Sequence, residues 1–199
     1  MKKRMLSLAL ALVAALSLLS VASSAESASP FTDVKGKNWF YSDVMYVYEK
    51  SIMKGTSETK FEPKTPLTRY MYVTIIYRIS GDTGKYPSKF TDVPAGKWYS
   101  DAVGWAQDTG IVEGYRDGRF HGNNKITRQE MAVMTARYLS YSWTDLPDSA
   151  SAVGKYADES KIAKWAKPSF ETVRRIGLML GDQNGNANPG ALATRAETA

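Results

Sequence analysis

Internal repetition is the feature that most constrains this chain. The tetrapeptide Phe-Thr-Asp-Val at residues 31–34 recurs at residues 90–93, an offset of 59 residues. The same offset relates five further landmarks: Trp39 and Trp98, Ile52 and Ile111, Gly55 and Gly114, Phe61 and Phe120, and Thr68-Arg69 and Thr127-Arg128. One constant spacing over so many positions indicates two copies of one structural unit.

A third copy follows at a longer offset of 67 residues, because extra residues lie in the second linker. It opens with Tyr156-Ala157-Asp158, and it matches the second copy at Trp165, Gly177, Gly181, Gly185, Thr194-Arg195 and Glu197. We therefore expect repeats at 30–81, 89–140 and 155–199, with a linker at 141–154. The last helix of the third repeat would start at Thr194, so we expect this repeat to be C-terminally incomplete and segment 194–199 to be frayed or weakly docked.

Each repeat has the pattern of helix, loop, helix. In the second repeat Trp98, Ala102 and Trp105 recur at helical spacing, and Gly110 stands where a helix commonly ends with positive φ. One such hairpin cannot bury its apolar face alone, so the three copies should pack on one another. The sequence therefore predicts an all-α fold with pseudo-threefold symmetry.

The second helix of each repeat begins at a Thr-Arg pair. Thr127 and Glu130 have the Thr-x-x-Glu spacing of a capping box, in which two side chains satisfy free backbone N–H groups at the helix start. Thr194 and Glu197 repeat this spacing, whereas the first repeat has Met71 at the position of the acid.

The first 25 residues indicate export. Three basic residues at positions 2–4 precede an apolar run at 5–22 and the small residues of 23–25, which is the pattern of a signal peptide cleaved after Ala25. The alternative is a retained membrane anchor, because the apolar run approaches the ~20 residues that span a bilayer. Cleavage would leave 174 residues and lower the net charge from +6 to +3. With no basic stripe, we expect no nucleic-acid partner.

Several chemistries are disfavoured by composition. The absence of cysteine excludes disulfides, and one histidine, His121, without cysteine argues against zinc sites and most catalytic triads. The segment 182–186 begins like a calcium loop, but Ala187 and Ala193 replace the glycine and the bidentate glutamate that such a loop requires. We expect a turn there, no metal, no cofactor and no catalytic residue.

The repeated residues resemble the S-layer-homology (SLH) domain. The resemblance rests on the opening Asp-Val after an aromatic residue and Thr, the following Trp, the Gly110-Ile111…Gly114 loop and the Ile-Thr-Arg-x-Glu helix start, and it extends from Phe31 to the end. It implies a three-pronged helical prism that binds secondary cell-wall polysaccharide non-covalently, often through a pyruvylated amino sugar, in grooves between adjacent repeats. We therefore expect a secreted bacterial protein of the cell wall or S-layer, with self-association in a surface lattice as a further hypothesis.

The resemblance also implies which residues bind the polysaccharide. They are the helix-start arginines Arg69, Arg128 and Arg195, the opening acids Asp33, Asp92 and Asp158, the box acids Glu130 and Glu197, and the loop glycines Gly55, Gly114 and Gly181. Independently, a guanidinium beside free helix N–H groups is a strong carboxylate site. Structural alternatives remain open: each arginine could pair with an opening aspartate, the glutamates could act only as caps, and the glycines could serve only turn geometry.

The aromatic and acidic residues that recur in the repeats allow two further interpretations. Trp39, Trp98 and Trp165 occupy equivalent places near the first helices, which favours packing in the core over sugar stacking. A secreted glycan-processing enzyme with paired carboxylates is the alternative function. Because the recurring acids have structural explanations and no separate catalytic segment lies outside the repeats, the sequence favours a non-catalytic anchor.

Overall fold

Helices form the regular structure of this protein, and the computed structural model describes residues 29–142 and 154–199. The helices are α1 (Tyr41–Glu49), α2 (Arg69–Ser80), α3 (Ser100–Asp108), α4 (Arg128–Ser142), α5 (Lys167–Arg175) and α6 (Arg195–Thr198), with a 3₁₀ turn at Glu159–Lys161. Within those two described ranges there is no strand, so the predicted all-α class is confirmed. The expected signal peptide and linker residues 143–153 lie outside them, and no described helix is long and apolar enough to cross a membrane.

The three repeats meet in a closed ring of backbone hydrogen bonds. The N–H of Leu67 donates to Ala193 at 2.9 Å, the N–H of Ala193 donates to Ile126 at 3.2 Å, and the N–H of Ile126 donates to Leu67 at 3.0 Å. All three side chains are fully buried. Because these residues stand two positions before the arginines of the three repeats, the ring confirms the pseudo-threefold arrangement.

Apolar side chains around this ring form the core. Phe61 and Phe120 are fully buried at equivalent loop positions, and Trp105 in α3 belongs to the same core cluster with 1% of its surface exposed. Helix α2 packs against both α3 and α4, and α4 packs against α5. A smaller cluster around Phe170 consists of residues of the third repeat together with Ala132 and Ala136 of α4.

The helix starts form as the sequence predicts. Thr194 and Glu197 make a complete capping box, and Glu130 accepts from the Thr127 N–H at 2.9 Å while Thr127 accepts from the Glu130 N–H at 3.4 Å. In the first repeat Thr68 accepts from the Met71 N–H at 3.2 Å with no acid to return the bond.

The end of the third repeat differs from the expectation of fraying. Arg195 and Ala196 are buried, and their N–H groups donate to Thr65 and Pro63 of the first repeat at 3.0 and 2.9 Å. The expectation of weak docking is therefore wrong for segment 194–198, because inter-repeat hydrogen bonds and the capping box hold this turn. The C-terminal incompleteness of the repeat stays a prediction.

The three equivalent tryptophans are exposed, so their expected placement in the core is wrong. Trp39, Trp98 and Trp165 expose 69%, 60% and 57% of their surfaces. Each stands two residues before its helix begins, in a turn, so it does not share the buried face of that helix. Of the residues that follow the tryptophans, Phe40 and Ala166 are buried at 7% and 0% exposure, and Tyr99 is partly buried against the core.

Candidate functional site

Three equivalent clefts lie between the repeats, and each is built from all three of them. Cleft A has a volume of about 510 Å³ and is lined by Arg69 of the first repeat, by loop 111–115 and Glu130 of the second, and by Trp165 of the third. The sequence had predicted grooves between two adjacent repeats. The third contribution, an exposed tryptophan, was missed because the tryptophans had been assigned to the core.

Cleft B repeats this arrangement one repeat further on. It has a volume of about 480 Å³ and is lined by Arg128, by loop 178–182 and Glu197 of the third repeat, and by Trp39 of the first. Both clefts therefore combine a helix-start arginine, a box acid and an exposed indole ring.

Cleft C completes the set but is much smaller, at about 160 Å³. It is lined by Arg195, by loop 53–56 of the first repeat and by Trp98 of the second, and Met71 occupies the place of the box acid. The methionine substitution thus affects the cleft of Arg195. It leaves the cleft of Arg69 with a box acid, Glu130.

The arginine of cleft A is almost fully enclosed. The Arg69 Nε donates to the Phe120 carbonyl at 3.1 Å, and its Nη1 pairs with Glu130 Oε1 at 2.9 Å. The guanidinium lies 4.9 Å from the Tyr115 ring centroid and 4.7 Å from that of Phe120, and only 6% of the side chain is exposed.

Glu130 is the centre of this network. It also accepts from the Tyr115 hydroxyl at 2.9 Å. Burial alone would raise the pKa of Glu130, but the backbone N–H and hydroxyl of Thr127, with the Arg69 charge, outweigh burial and hold this pKa below its usual value. The carboxylate is therefore ionised and is committed to Thr127, Arg69 and Tyr115 at once.

The arginine of cleft B is freer. Arg128 is partly exposed, and its Nε donates to the Ala187 carbonyl at 2.8 Å. No acceptor in the described part of the chain hydrogen-bonds its Nη groups, and no ion pair joins it to Glu197 there. Two differences between the repeats explain why Arg128 is less enclosed than Arg69. Ala187 stands where the other repeats have Phe61 and Phe120, and Asp182 stands where the second repeat has Tyr115.

The arginine of cleft C is held by the backbone. The Arg195 Nε donates to the Phe61 carbonyl at 2.6 Å and its Nη2 donates to the Lys54 carbonyl at 2.7 Å. The residue is 5% exposed, and its guanidinium lies 4.4 Å from the Phe61 ring centroid.

The opening aspartates hold loops of their own repeats. Each carboxylate accepts two consecutive backbone N–H groups: Asp33 from Phe61 and Glu62 at 3.0 and 2.9 Å, Asp92 from Phe120 and His121 at 2.8 and 2.8 Å, and Asp158 from Ala187 and Asn188 at 2.6 and 3.0 Å. The second residue of each pair has positive φ, between 50° and 57°. The aspartates therefore stabilise a strained backbone position. The alternative in which they pair with the arginines is wrong for these described residues, which form no such ion pair.

The loop glycines Gly55, Gly114 and Gly181 line clefts C, A and B respectively, and their binding of polysaccharide stays a prediction. A Cβ on Gly55 would lie 2.4 Å from the Ser57 carbonyl oxygen, and one on Gly114 would lie 2.3 Å from the Phe90 ring. Gly114 and Gly181 also have positive φ, of 72° and 101°. Turn geometry therefore requires glycine here, whether or not a ligand approaches the backbone.

The segment that begins like a calcium loop is a turn, as the sequence predicts. Asp182 Oδ1 accepts from the N–H groups of Asn184 and Asn186 at 2.9 Å each, and the Asn188 side chain donates to Oδ2 at 2.8 Å. These donors, the Asn186 N–H foremost, lower the pKa of Asp182 to about 2. Across residues 29–142 and 154–199 no three His, Cys, Asp or Glu side chains are grouped so as to hold a metal ion.

Comparison with known proteins identifies the family. A family model described as the S-layer homology domain matches residues 30–69, 89–132 and 155–199. The chain belongs to the S-layer homology family. Each matched region contains one of the opening aspartates and one of the helix-start arginines that build the SLH clefts.

Relatives include both surface proteins and enzymes. The chain is 27% identical to a surface-layer 125 kDa protein of Lysinibacillus sphaericus over 96% of its own length and 16% of that protein. It is 32% identical to the S-layer protein sap of Bacillus anthracis over 48% of its length and 11% of that protein. It is also 30% identical to an amylopullulanase of Thermoanaerobacterium thermosulfurigenes over 85% of its length and 9% of that enzyme.

The chain thus spans at most 16% of each of these three relatives. Their names describe much larger proteins, of which the SLH region is a small part. Family membership and the surface-layer relatives indicate a location at the cell wall or S-layer, where SLH domains anchor surface proteins.

Proposed function

We propose that this SLH chain anchors a surface protein by binding an acidic, pyruvylated secondary cell-wall polysaccharide in clefts A and B. The observation that carries this proposal is cleft B, where the free guanidinium edge of Arg128 and the exposed ring of Trp39 line one cavity. The guanidinium of Arg128 can bind a carboxylate of the glycan, because charge-assisted bidentate contacts to arginine are strong. The exposed ring of Trp39 can bind a sugar ring, because the apolar face of a sugar can lie on an aromatic side chain.

Cleft A supports the same ligand class with a different distribution of charge. Its volume is close to that of cleft B, and Trp165 offers an equivalent exposed ring. Arg69, however, is enclosed and neutralised by Glu130, so in this proposal it holds Glu130 and Tyr115 in place for the ligand.

Cleft C is not a binding site in this proposal. The Nε and Nη2 groups of Arg195 already donate hydrogen bonds to backbone carbonyls. The volume of cleft C, about 160 Å³, is also small for a sugar residue. Arg195, Asp33 and Gly55 then act in structure alone, while the sequence had grouped them with the ligand-binding residues.

We propose further that the chain itself is non-catalytic. Glu130 and Glu197 recur at the helix starts, and each accepts a hydrogen bond from the threonine that caps the same helix. This commitment favours an anchoring role over paired-carboxylate hydrolysis. Self-association in a surface lattice stays a further hypothesis, and it would involve the whole surface protein that the SLH region anchors.

The test compares two forms of one glycan. Wild type and Arg128→Ala are titrated by calorimetry with pyruvylated wall-polysaccharide fragments and with the same fragments after removal of pyruvate. We expect wild type to prefer the pyruvylated form and Arg128→Ala to weaken that binding by about 2–4 kcal/mol. Arg128→Lys should rescue poorly, since an ammonium presents no planar fork. Equal affinity of wild type for both glycans would refute the proposal.

A further inference from the structure

The acidic group of a ligand in cleft A needs a cation other than Arg69. Only 6% of the Arg69 side chain is exposed, and its guanidinium is enclosed by Phe120, Tyr115 and Glu130. Displacing Glu130 would also break the cap at Thr127 and the Tyr115 contact. Cleft A is therefore closed to a carboxylate at the helix-start arginine, unlike cleft B.

A second arginine lines the same cleft from helix α4. Arg137 follows Glu130 by seven residues and Val133 by four, so all three lie on one helix face, and all three line cleft A. Its Nη2 pairs with Glu113 Oε1 at 2.7 Å, and its Nη1 lies 3.5 Å from the Ile111 carbonyl. The side chains of Arg137 and Glu113 are 36% and 74% exposed.

This ion pair can exchange partners. An exposed pair is screened by solvent and contributes little to stability, so an incoming carboxylate can replace Glu113 at small cost. The Arg69–Glu130 pair lacks this freedom because both members are at most 21% exposed and share further hydrogen bonds.

We propose that Arg137 binds the acidic group of the glycan in cleft A and that Glu113 competes with the ligand for it. This inference rests on the proposed function of cleft A. It assigns the anion contact to a residue on the helix face, nine positions after the helix start and beyond the region 89–132 that the family model matches.

The first repeat supplies the matched control. Arg78 is the equivalent of Arg137, and its Nη1 donates to the Ile52 carbonyl at 3.0 Å, as Arg137 does towards Ile111. The equivalent of Glu113 is Lys54, so the first repeat keeps the tether to the loop but has no competing acid. Arg78→Ala therefore removes the shared structural contact in a cleft that we do not assign to the ligand.

The experiment is run in a Trp39→Ala background, which weakens cleft B by removing an exposed side chain. Calorimetry with pyruvylated fragments should show that Arg137→Ala lowers affinity on the order of tenfold, as expected for loss of a charge-assisted contact. Arg78→Ala should leave affinity unchanged. Glu113→Gln should raise affinity roughly two- to fivefold, because an exposed ion pair is worth that much.

Pyruvate-free fragments separate this inference from the proposed function. Arg137→Ala should bind them like its parent, and an equal loss on both glycans would mean that Arg137 is only structural, which overturns the inference. An unchanged or lowered affinity of Glu113→Gln for the pyruvylated form would also overturn it. If wild type does not distinguish the two glycans, the proposed function itself fails. If wild type distinguishes them and the Trp39→Ala parent does not, the inference about cleft A fails and the proposed function stands. Thermal melting of each variant establishes that it is folded.

Discussion

Arg195 Nε donates a hydrogen bond of 2.6 Å to the carbonyl of Phe61, which lies 134 residues earlier in the chain. Together with the bond from Nη2 to the Lys54 carbonyl, it ties the last helix to the first repeat. Burial lowers the pKa of this guanidinium, while the nearby Glu62 and Asp33 carboxylates act in the opposite direction. The arginine that resembles a ligand contact in sequence is thus a structural link between distant repeats.

The first prediction separates this role from that of Arg128. Arg195→Ala should lower the free energy of unfolding by about 2–4 kcal/mol, because it removes buried bonds of a charged donor and leaves carbonyls without donors. Glycan affinity of the folded variant should be unchanged. Urea unfolding and calorimetry on both arginine variants check this. A normal stability of Arg195→Ala combined with lost glycan binding would contradict it.

The second prediction concerns the three exposed tryptophans. Trp39→Ala and Trp165→Ala should each weaken glycan binding by about 1–2 kcal/mol, since each removes an aromatic surface from cleft B or cleft A. Trp98→Ala is the matched control, because Trp98 has similar exposure but lines the small cleft C. Calorimetry that shows three equal losses would contradict the assignment of the clefts.

The sequence predicts the elements of this fold better than their assembly. Gly110 has the positive φ expected of a helix end, and the Thr-x-x-Glu spacing forms caps at Thr127 and Thr194. The central ring of Leu67, Ile126 and Ala193 has no such signature, because its bonds are made by backbone groups that every residue carries.

The site was predicted in part for a similar reason. A shared Thr-Arg motif suggests three equal arginines, but their environments depend on the residues at the next repeat's loop. Phe120 encloses Arg69, whereas Ala187 leaves Arg128 open. That difference is visible in the sequence only once it is known which loop each arginine meets. The expected burial of the tryptophans is wrong because it applies helical spacing to positions that lie two residues before the helix starts.

The third prediction uses the lowered pKa of Asp182. Its pKa of about 2 in the folded protein lies below the ordinary value of 3.8, so the unfolded chain takes up a proton first as the pH falls. The stabilisation by this carboxylate is therefore complete above about pH 4 and is lost as the pH falls towards about 2. Asp182→Ala should show a smaller loss of stability over that interval in urea unfolding. An unchanged acid dependence in the variant would contradict the prediction.

The fourth prediction concerns Gly104 in the middle of α3. A Cβ there would lie 2.0 Å from the carbonyl oxygen of Tyr86, which belongs to the linker 82–88 between the first and second repeats. The N–H and the hydroxyl of Tyr86 donate to Asp101 and Asp82 and hold this linker in place. Alanine usually stabilises a helix interior by about 1 kcal/mol relative to glycine. Here Gly104→Ala should instead lower the unfolding free energy by about 2 kcal/mol or more, because the backbone must shift.

Gly36→Ala is the control for this substitution. Nothing lies within 4 Å of a Cβ at Gly36, so that variant should stay within about 0.5 kcal/mol of wild type. Thermal and urea unfolding of the two variants give the comparison. If Gly104→Ala were as stable as Gly36→Ala, the close approach of the linker to α3 would be wrong.

The last prediction is a coupling between Gly122 and Tyr70. A Cβ on Gly122 would lie 1.9 Å from the Tyr70 ring, and that ring cannot move aside easily because it stacks on Tyr99 at 3.6 Å and its hydroxyl donates to the Asp92 carbonyl at 3.0 Å. The two equivalent pairs in the other repeats show the alternative solution. The N–H of Ala196 meets the Pro63 carbonyl, and that of Gln129 meets Pro189, so a larger residue is accepted where the helix residue is not tyrosine.

Gly122→Ala alone should therefore lower the unfolding free energy by about 2–3 kcal/mol through overpacking. In a Tyr70→Ala background the same substitution should cost less than about 1 kcal/mol, since the ring that it strikes is gone. The difference is the coupling energy of a double-mutant cycle, which urea unfolding of the four proteins measures. Gly122 has no positive φ, so backbone strain would not add to either cost. Equal costs in the two backgrounds would mean that the tyrosine does not require the glycine.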